Sequence, residues 1–428
     1  MKFISTPVKG MNDFLPGDIR LRRHVLGVIR DTYASYGYDE IETPALEHIE
    51  NLSGKVGGEN EKLIFKVMKR GRELEKGLES GEIADCGLRY DLTVPLSRYY
   101  ANNRNELPVP LKALQIGSVW RADKPQKGRF RQFVQCDIDI IGDPSEMAEI
   151  DLISATTTAL TRIFAEAGIH GFTVHINDRR ILRAMALAAG FPEDELDEVF
   201  IILDKMDKIG LDGVREELEK KGYAPEAARK YAAMFEGRAS EEGGTSEEDD
   251  ILGFCAKNCG GLDVSVPERL QRIMDTVRSM ADEDVHLTFD PTLVRGMGYY
   301  TGTIFEISID GYSFSIAGGG RYDEMIGRFC GQQVPACGFS IGFERIVTIL
   351  RDLNFTGESA GQVKTAYLVD ARAGSEKTRE VFEEAGRRRA AGEMVNVQPL
   401  KKNAKFQIET LEKNGYTQIR KVYADTEL

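Results

Sequence analysis

Residues 133–140, FVQCDIDI, alternate so strictly that only a β-strand with two unlike faces accommodates them. Successive side chains on a strand point to opposite sides. One side therefore carries Phe133, Gln135, Asp137 and Asp139, and the other carries Val134, Cys136, Ile138 and Ile140. The apolar set needs a core, while the polar set faces a cavity or water. Upstream, in SVWRAD (118–123), the same rule puts Arg121 and Asp123 on one face. The segment joining the two strands holds five basic residues within the eleven positions 121–131, although the chain as a whole has a formal net charge of -13. A cationic loop of this kind suits a polyphosphate, because guanidinium grips phosphate oxygens in a two-pronged fork. A solvated hairpin with ordinary surface charges satisfies the same pattern.

At 428 residues the chain calls for two or three domains. No apolar run is long enough for a membrane span, the first residues lack the apolar stretch of a secretory signal, and six irregularly placed cysteines read as reduced thiols. A cytoplasmic protein is expected. Cys255 and Cys259 are loosely spaced for zinc and have no second pair nearby, so no metal site is assigned. Residues 18–37 have helical spacing ending at Gly37, and YDEIETPALE reads as a strand broken by Pro44, which suits a sheet edge or a subunit boundary. Strands and turns are expected over 88–142, and a long helix over 145–168. Short amphipathic helices follow between about 172 and 285, with an acidic loop at 236–250. Strands resume at 287. The simplest architecture is α+β: an antiparallel-sheet domain at 1–170 and 286–351, interrupted by a helical insertion at 171–285. After a linker at 352–362 comes a small α/β module at 363–428. That module holds 13 basic and 10 acidic residues, opposite in sign to the rest.

Three further stretches invite chemistry. In LRYDLTVPLSRYYA (88–101), Asp91 and Thr93 could clamp an ammonium group, although an Asp-x-Thr pair also serves as a turn or cap. In LVRGMGYYTGTIFEI (293–307), Arg295 precedes glycines and the pair Tyr299 and Tyr300, whose hydroxyls can orient a ligand or whose rings can simply pack. The three glycines of AGGGRYDEMIG (317–327) weaken a strand and so ask for a reason, such as a ligand lying against the backbone. In GFSIGFERIVTIL (338–350), Arg345 sits near a helix N-terminus, a combination able to hold phosphate.

In this order the pieces resemble class II aminoacyl-tRNA synthetases, specifically the histidyl-tRNA synthetase family. TPALE (43–47) is similar to the dimer-forming first class motif, 120–142 to the second and GFSIGFERI to the third. LVRGMGYYTGTIFE and AGGGRYD resemble two segments peculiar to the histidine enzymes. The likeness runs from KGMNDFLPG (9–17) through VHINDRRIL (174–182) into the C-terminal module.

The resemblance implies ligation of L-histidine to tRNA(His) through an adenylate made from ATP, with Mg2+ bridging the phosphates, in a cytoplasmic homodimer. By the same likeness, Arg121, Arg295 and Arg345 are the catalytic cations. ATP is held by Arg121, Asp123, Arg129, Phe133 and Arg345. Histidine is held by Asp91, Leu92, Thr93, Arg121, Gln135, Asp139, Arg295, Tyr299 and Tyr300, with Asp139 and the tyrosines reading the imidazole. Such a site needs positioning and cations but no general base, since a carboxylate is already a nucleophile. Three departures stand out. Gly298 replaces the family's usual acidic residue, Asp91 and Asp123 replace common glutamates, and the C-terminal module is short for a reader of the anticodon. The rival implied by the same fold is a histidine-sensing regulatory subunit of ATP phosphoribosyltransferase, which tends to lose the catalytic arginines and the anticodon domain. A tRNA-sensing binding module is a third alternative.

Overall fold

The computed structural model describes residues 3–53, 58–126, 128–236, 250–294, 298–357 and 363–427. The chain gathers into two compact units, one of Met1–Asp13 with Val25–Asn354 and one of Phe14–His24 with Phe355–Leu428. Residues 14–24, expected with the catalytic part, thus group with the C-terminal module. Most of the acidic loop, 237–249, and the end of the linker, 358–362, lie outside the described residues.

The first unit is built on an eight-stranded sheet. Its spatial order is Asp39–Glu40, Leu111–Trp120, Gln132–Ile141, Ala336–Ile341, Ala317–Arg321, Thr303–Ile309, Phe172–Asp178 and Val285–Phe289. The five pairings in the middle are antiparallel, and only the two outermost are parallel. Pro44 ends the edge segment before a second, three-stranded antiparallel sheet of Leu46–His48, Ala84–Leu88 and Lys66–Met68. Behind the large sheet, Cys136, Ile138 and Ile140 are buried as the alternation requires.

Two expectations need correcting. The stretch read as strands and turns contains a helix, Thr93–Asn103, started by the Asp91 carboxylate, which accepts from the Val94 N–H at 3.0 Å. Proline at its third position is tolerated, because the first-turn N–H groups have no intrahelical partner. Val94, Leu96 and Tyr100 are buried along it. The segment 171–285 is not wholly helical either. It opens on the strand Phe172–Asp178 and closes at Val285–Phe289, and these two pair parallel in the large sheet. Parallel neighbours cannot be joined by a tight turn. The helices from Arg179 to Met280 are therefore the crossover the sheet demands.

A buried ion pair ties the strand Ala317–Arg321 to the helix Met147–Glu166. Arg321 donates to both Glu149 oxygens at 2.7 and 2.6 Å, and Arg269 adds contacts at 3.2 Å. Burial alone would raise the Glu149 carboxyl, but Arg321 outweighs it and holds it below the usual range. In the second unit, Met394–Pro399, Lys364–Val369 and Gln418–Val422 form a parallel three-stranded sheet with helices Gly374–Ala390 and Ala404–Lys413, as expected of an α/β module.

Candidate active site

The register of the large sheet assembles the site. Asp137 lies opposite Gln115 on one neighbouring strand and Ser340 on the other, and Asp139 lies opposite Gly338. The polar face of 133–140 is thereby roofed by other elements: Asp137 and Asp139 are each only 4% exposed. A solvated hairpin is excluded.

These side chains line one cavity of about 640 Å³. Asp91, Thr93, Arg121, Asp123, Arg129, Phe133, Gln135, Asp139, Tyr299, Tyr300 and Arg345 all border it. One expected residue does not join them. Leu92 is buried in the core, 1% exposed, and its backbone carbonyl is taken by the Gln115 amide at 3.2 Å. An apolar side chain at the foot of a packed helix has nowhere else to go. Arg295 lies outside the described residues.

Arg121 sits at the root of the cationic loop. Its Nε donates to the Tyr90 carbonyl at 3.1 Å, and its guanidinium carbon is 4.2 Å from the centre of the Tyr90 ring and 5.1 Å from that of Phe133. These contacts fix a planar cation between aromatic rings. Arg129 pairs with Asp123 at 3.1 Å, so two expected nucleotide contacts hold each other. The loop closes by reciprocal bonds between Gln126 and Arg129, with Gly128 at φ 72°. Across the cavity, Arg345 lies in the first turn of the helix Phe343–Asp352 and donates to the Ser315 carbonyl and, at 3.0 Å, to its hydroxyl. Glu344, one residue earlier, accepts from the Val134 N–H at 3.2 Å and pins that helix to the central strand.

The other end of the cavity is acidic. The Tyr322 hydroxyl donates to Asp139 at 2.5 Å. Burial pushes the Asp139 carboxyl up to about 7, a rise the Tyr322 bond opposes. Burial also raises Asp91, against the Val94 N–H, and lifts Asp137 well above the carboxylate range with help from the charge on Asp139. Three buried carboxyls in one space resist simultaneous ionisation until a cation joins them. The Tyr299 and Tyr300 rings meet tilted, 4.7 Å between centres, and Tyr299 meets Tyr322 edge-on at 6.0 Å.

Only part of the glycine run serves the cavity. A Cβ at Gly319 would strike the Gly338 carbonyl and the Phe305 ring, and one at Gly320 would strike the Thr303 carbonyl and the Tyr300 ring. Those two glycines are required by protein packing, while Gly318 and Gly319 border the cavity. Gly338 is also needed, because a Cβ there would fall 2.0 Å from Asp139 Oδ1. At Gly298 a Cβ meets nothing within 4 Å among the described residues.

Sequence reasoning missed Tyr322, Ser340, Glu344 and Asp137 as site residues. Tyr322 and Ser340 stand inside quoted motifs, but only the pairing of strands nearly two hundred positions apart brings them to Asp139 and Gln135. The assembled cavity thus offers a buried anionic well for a cationic group beside fixed guanidiniums for a polyanion.

A model of the family described as "Histidyl-tRNA synthetase" matches residues 10–346. A histidine--tRNA ligase of Leifsonia xyli is 43% identical over 429 residues, spanning 98% of this chain and 96% of that protein. One from Flavobacterium johnsoniae is 34% identical over 85% of this chain and 81% of its own length. Among solved structures, a histidyl-tRNA synthetase from Nostoc sp. PCC 7120 superposes with a TM-score of 0.76 at 27% identity, covering 97% of this chain and 90% of the other. A Bacillus halodurans protein described as an ATP phosphoribosyltransferase regulatory subunit/histidyl-tRNA synthetase shares the fold with the same TM-score at 23% identity.

Proposed function

The chain belongs to the histidyl-tRNA synthetase family, and on that premise we propose that it ligates L-histidine to tRNA(His), using ATP, through a histidyl-adenylate. The observation that carries this reading is the convergence of Arg121, Arg129 and Arg345 with Asp91, Gln135 and Asp139 on a single cavity.

In the first step a histidine carboxylate oxygen attacks the α-phosphorus of ATP, and the bond to the bridging oxygen breaks to release pyrophosphate. Arg121, clamped by Tyr90, would hold the α-phosphate and the substrate carboxylate together. Arg345, oriented by Ser315, would take the γ-phosphate, with Arg129 and Phe133 along the nucleotide. Arg295 would join the charges at the α-phosphate, as the family likeness implies. Fixed cations where negative charge accumulates are the main lever for such a transfer. Asp91, Thr93 and Gln135 would receive the α-ammonium. Asp139, held by Tyr322, would accept the imidazole N–H beside Tyr299 and Tyr300. In the second step the terminal ribose hydroxyl of the tRNA takes the histidyl group and AMP departs.

Among the described residues no group of three acidic, histidine or cysteine side chains could cage a metal. That donor set fits magnesium arriving on the phosphates, with carboxylates such as Glu344 at the cavity wall. Bound there, the ion would neutralise phosphate charge. None of the five histidines is among the residues lining the cavity, in keeping with a reaction that needs no general base.

We also place the protein in the cytoplasm, where charged tRNA is consumed; no described helix is long and apolar enough to cross a membrane. A homodimer is the expected assembly, supported by Leu46 and Met68, which stand 49% and 56% exposed on the small three-stranded sheet beside Pro44. The net-positive C-terminal module is the candidate reader of the anticodon.

The test is histidine-dependent exchange of pyrophosphate into ATP by purified protein with magnesium, followed by charging of transcribed tRNA(His). Exchange and charging are expected. Histidine binding without exchange would instead identify a regulatory histidine sensor.

A further inference from the structure

Gln135 makes an unusual arrangement at the bottom of the cavity. Its Nε2 faces two acceptors at once: Ser340 Oγ at 3.1 Å, and the Asp137 carboxylate oxygens at 3.4 and 3.5 Å. Its Oε1, shielded from solvent, has no partner among the described residues. An amide carries donors at one end and acceptors at the other, so its neighbours decide which end points where. The Ser340 hydroxyl spends its single proton on Asp137 and offers Gln135 only lone pairs. Once a bound cation has ionised Asp137, turning the amide over would set Oε1 against two carboxylate oxygens and a hydroxyl lone pair, which are repulsive contacts in a site with little water to screen them.

We propose that Asp137 and Ser340 are positioning residues that lock the Gln135 amide in one orientation, making Oε1 an obligate acceptor for the α-ammonium of the amino-acid substrate. The inference rests on the reading of the cavity as a histidine site and explains how that site demands a free amino group. Two observations carry it. First, strand register brings all three residues to one face, with Gln135 and Asp137 two positions apart and Ser340 directly opposite Asp137. Second, a buried oxygen without a donor is an unfavourable feature that a ligand N–H removes. Asp137 has no ion-pair partner among the described residues, and a carboxyl that is 4% exposed makes a poor packing residue. Its value lies in what it does to its neighbour. A neutral donor on the ligand would satisfy Oε1 equally, but an ammonium also answers the three carboxyls of Asp91, Asp137 and Asp139 around it.

Asp137→Asn tests this with almost no change of shape. The new amide can donate to Gln135 Oε1 and turn it away from the cavity. Calorimetry with L-histidine, and with the des-amino analogue 3-(imidazol-4-yl)propionate, reads the outcome without requiring turnover. Histidine affinity should fall by about 10–100-fold, the effect of one charge-assisted hydrogen bond, while the analogue, which has no ammonium, binds as before. The ATP KM in pyrophosphate exchange should stay within about twofold. The double variant Gln135→Glu/Asp137→Asn restores the polarity: the carboxylate introduced at the first position accepts from the amide introduced at the second and still presents an oxygen to the ammonium. It should recover histidine affinity to within about fivefold of the parent. Unchanged histidine binding in Asp137→Asn overturns the proposal, as does equal weakening of the analogue or failure of the double variant to rescue. If the unmodified protein binds no histidine at all, the functional reading falls first and this inference with it.

Discussion

Replacing Glu149 with glutamine probes the strut that holds the glycine strand under the cavity. Glu149 is fully buried and the Arg321 side chain is 5% exposed. Arg321 gives Glu149 two short bonds and spreads its other donors over the carbonyls of Asp143 and Ser145 and the carboxylate of Asp323. Glutamine keeps the volume but removes the charge and turns an NH2 group towards a guanidinium, so two donors face each other. Breaking a buried pair from one side costs about 3–5 kcal/mol, because the remaining charge stays desolvated. In urea this is a midpoint lower by on the order of 1 M for an m-value of a few kcal/mol per molar. The single tryptophan, Trp120, ends a central strand of the first unit, so its fluorescence follows that unit. The sign of the pH dependence is fixed as well. The Glu149 carboxyl lies below its ordinary value in the folded chain, so its contribution is complete above the unfolded value of about 4.3. It is lost as pH falls through the depressed folded value, and the gap between parent and variant should close in acid. Replacing both Glu149 and Arg321 with methionine should recover only part of the stability, since the central buried charges go together but Arg269 and Asp323 lose a partner. A loss below about 1 kcal/mol in Glu149→Gln at neutral pH would refute the strut.

Three other outcomes follow from the site. Tyr322→Phe removes a donor to ionised Asp139, so that carboxyl should rise above its value of about 7 by roughly one unit. NMR titration of the Asp139 carboxyl in the ligand-free protein checks this, and an unshifted midpoint speaks against the Tyr322 bond. Gly338→Ala introduces a methyl group 2.0 Å from Asp139 Oδ1 and should weaken histidine binding more than about tenfold while ATP binding persists. Equal loss of both ligands would point to general collapse instead. Arg345→Ala should lower pyrophosphate exchange by about 100-fold or more, chiefly by weakening ATP, with histidine affinity by calorimetry unchanged.

Part of this molecule could be read from residue order because the relevant physics is local. Alternation in FVQCDIDI assigned Gln135, Asp137 and Asp139 to one face, since consecutive side chains on any strand diverge. The basic loop beginning at Arg121, the helix near Arg345 and the α/β pattern of the last segment were legible for similar reasons. The family resemblance put Leu92 with its neighbours as a ligand contact, where the fold buries its side chain and leaves Asp91 to start a helix. Which face would be solvated, which tyrosine would hold Asp139 and which hydroxyl would orient Gln135 were decided only by tertiary structure. Those contacts join residues 183 and 205 positions apart, and their geometry is set by the register in which whole strands pair. That register reflects the packing of the entire sheet, a property no short stretch of chain contains.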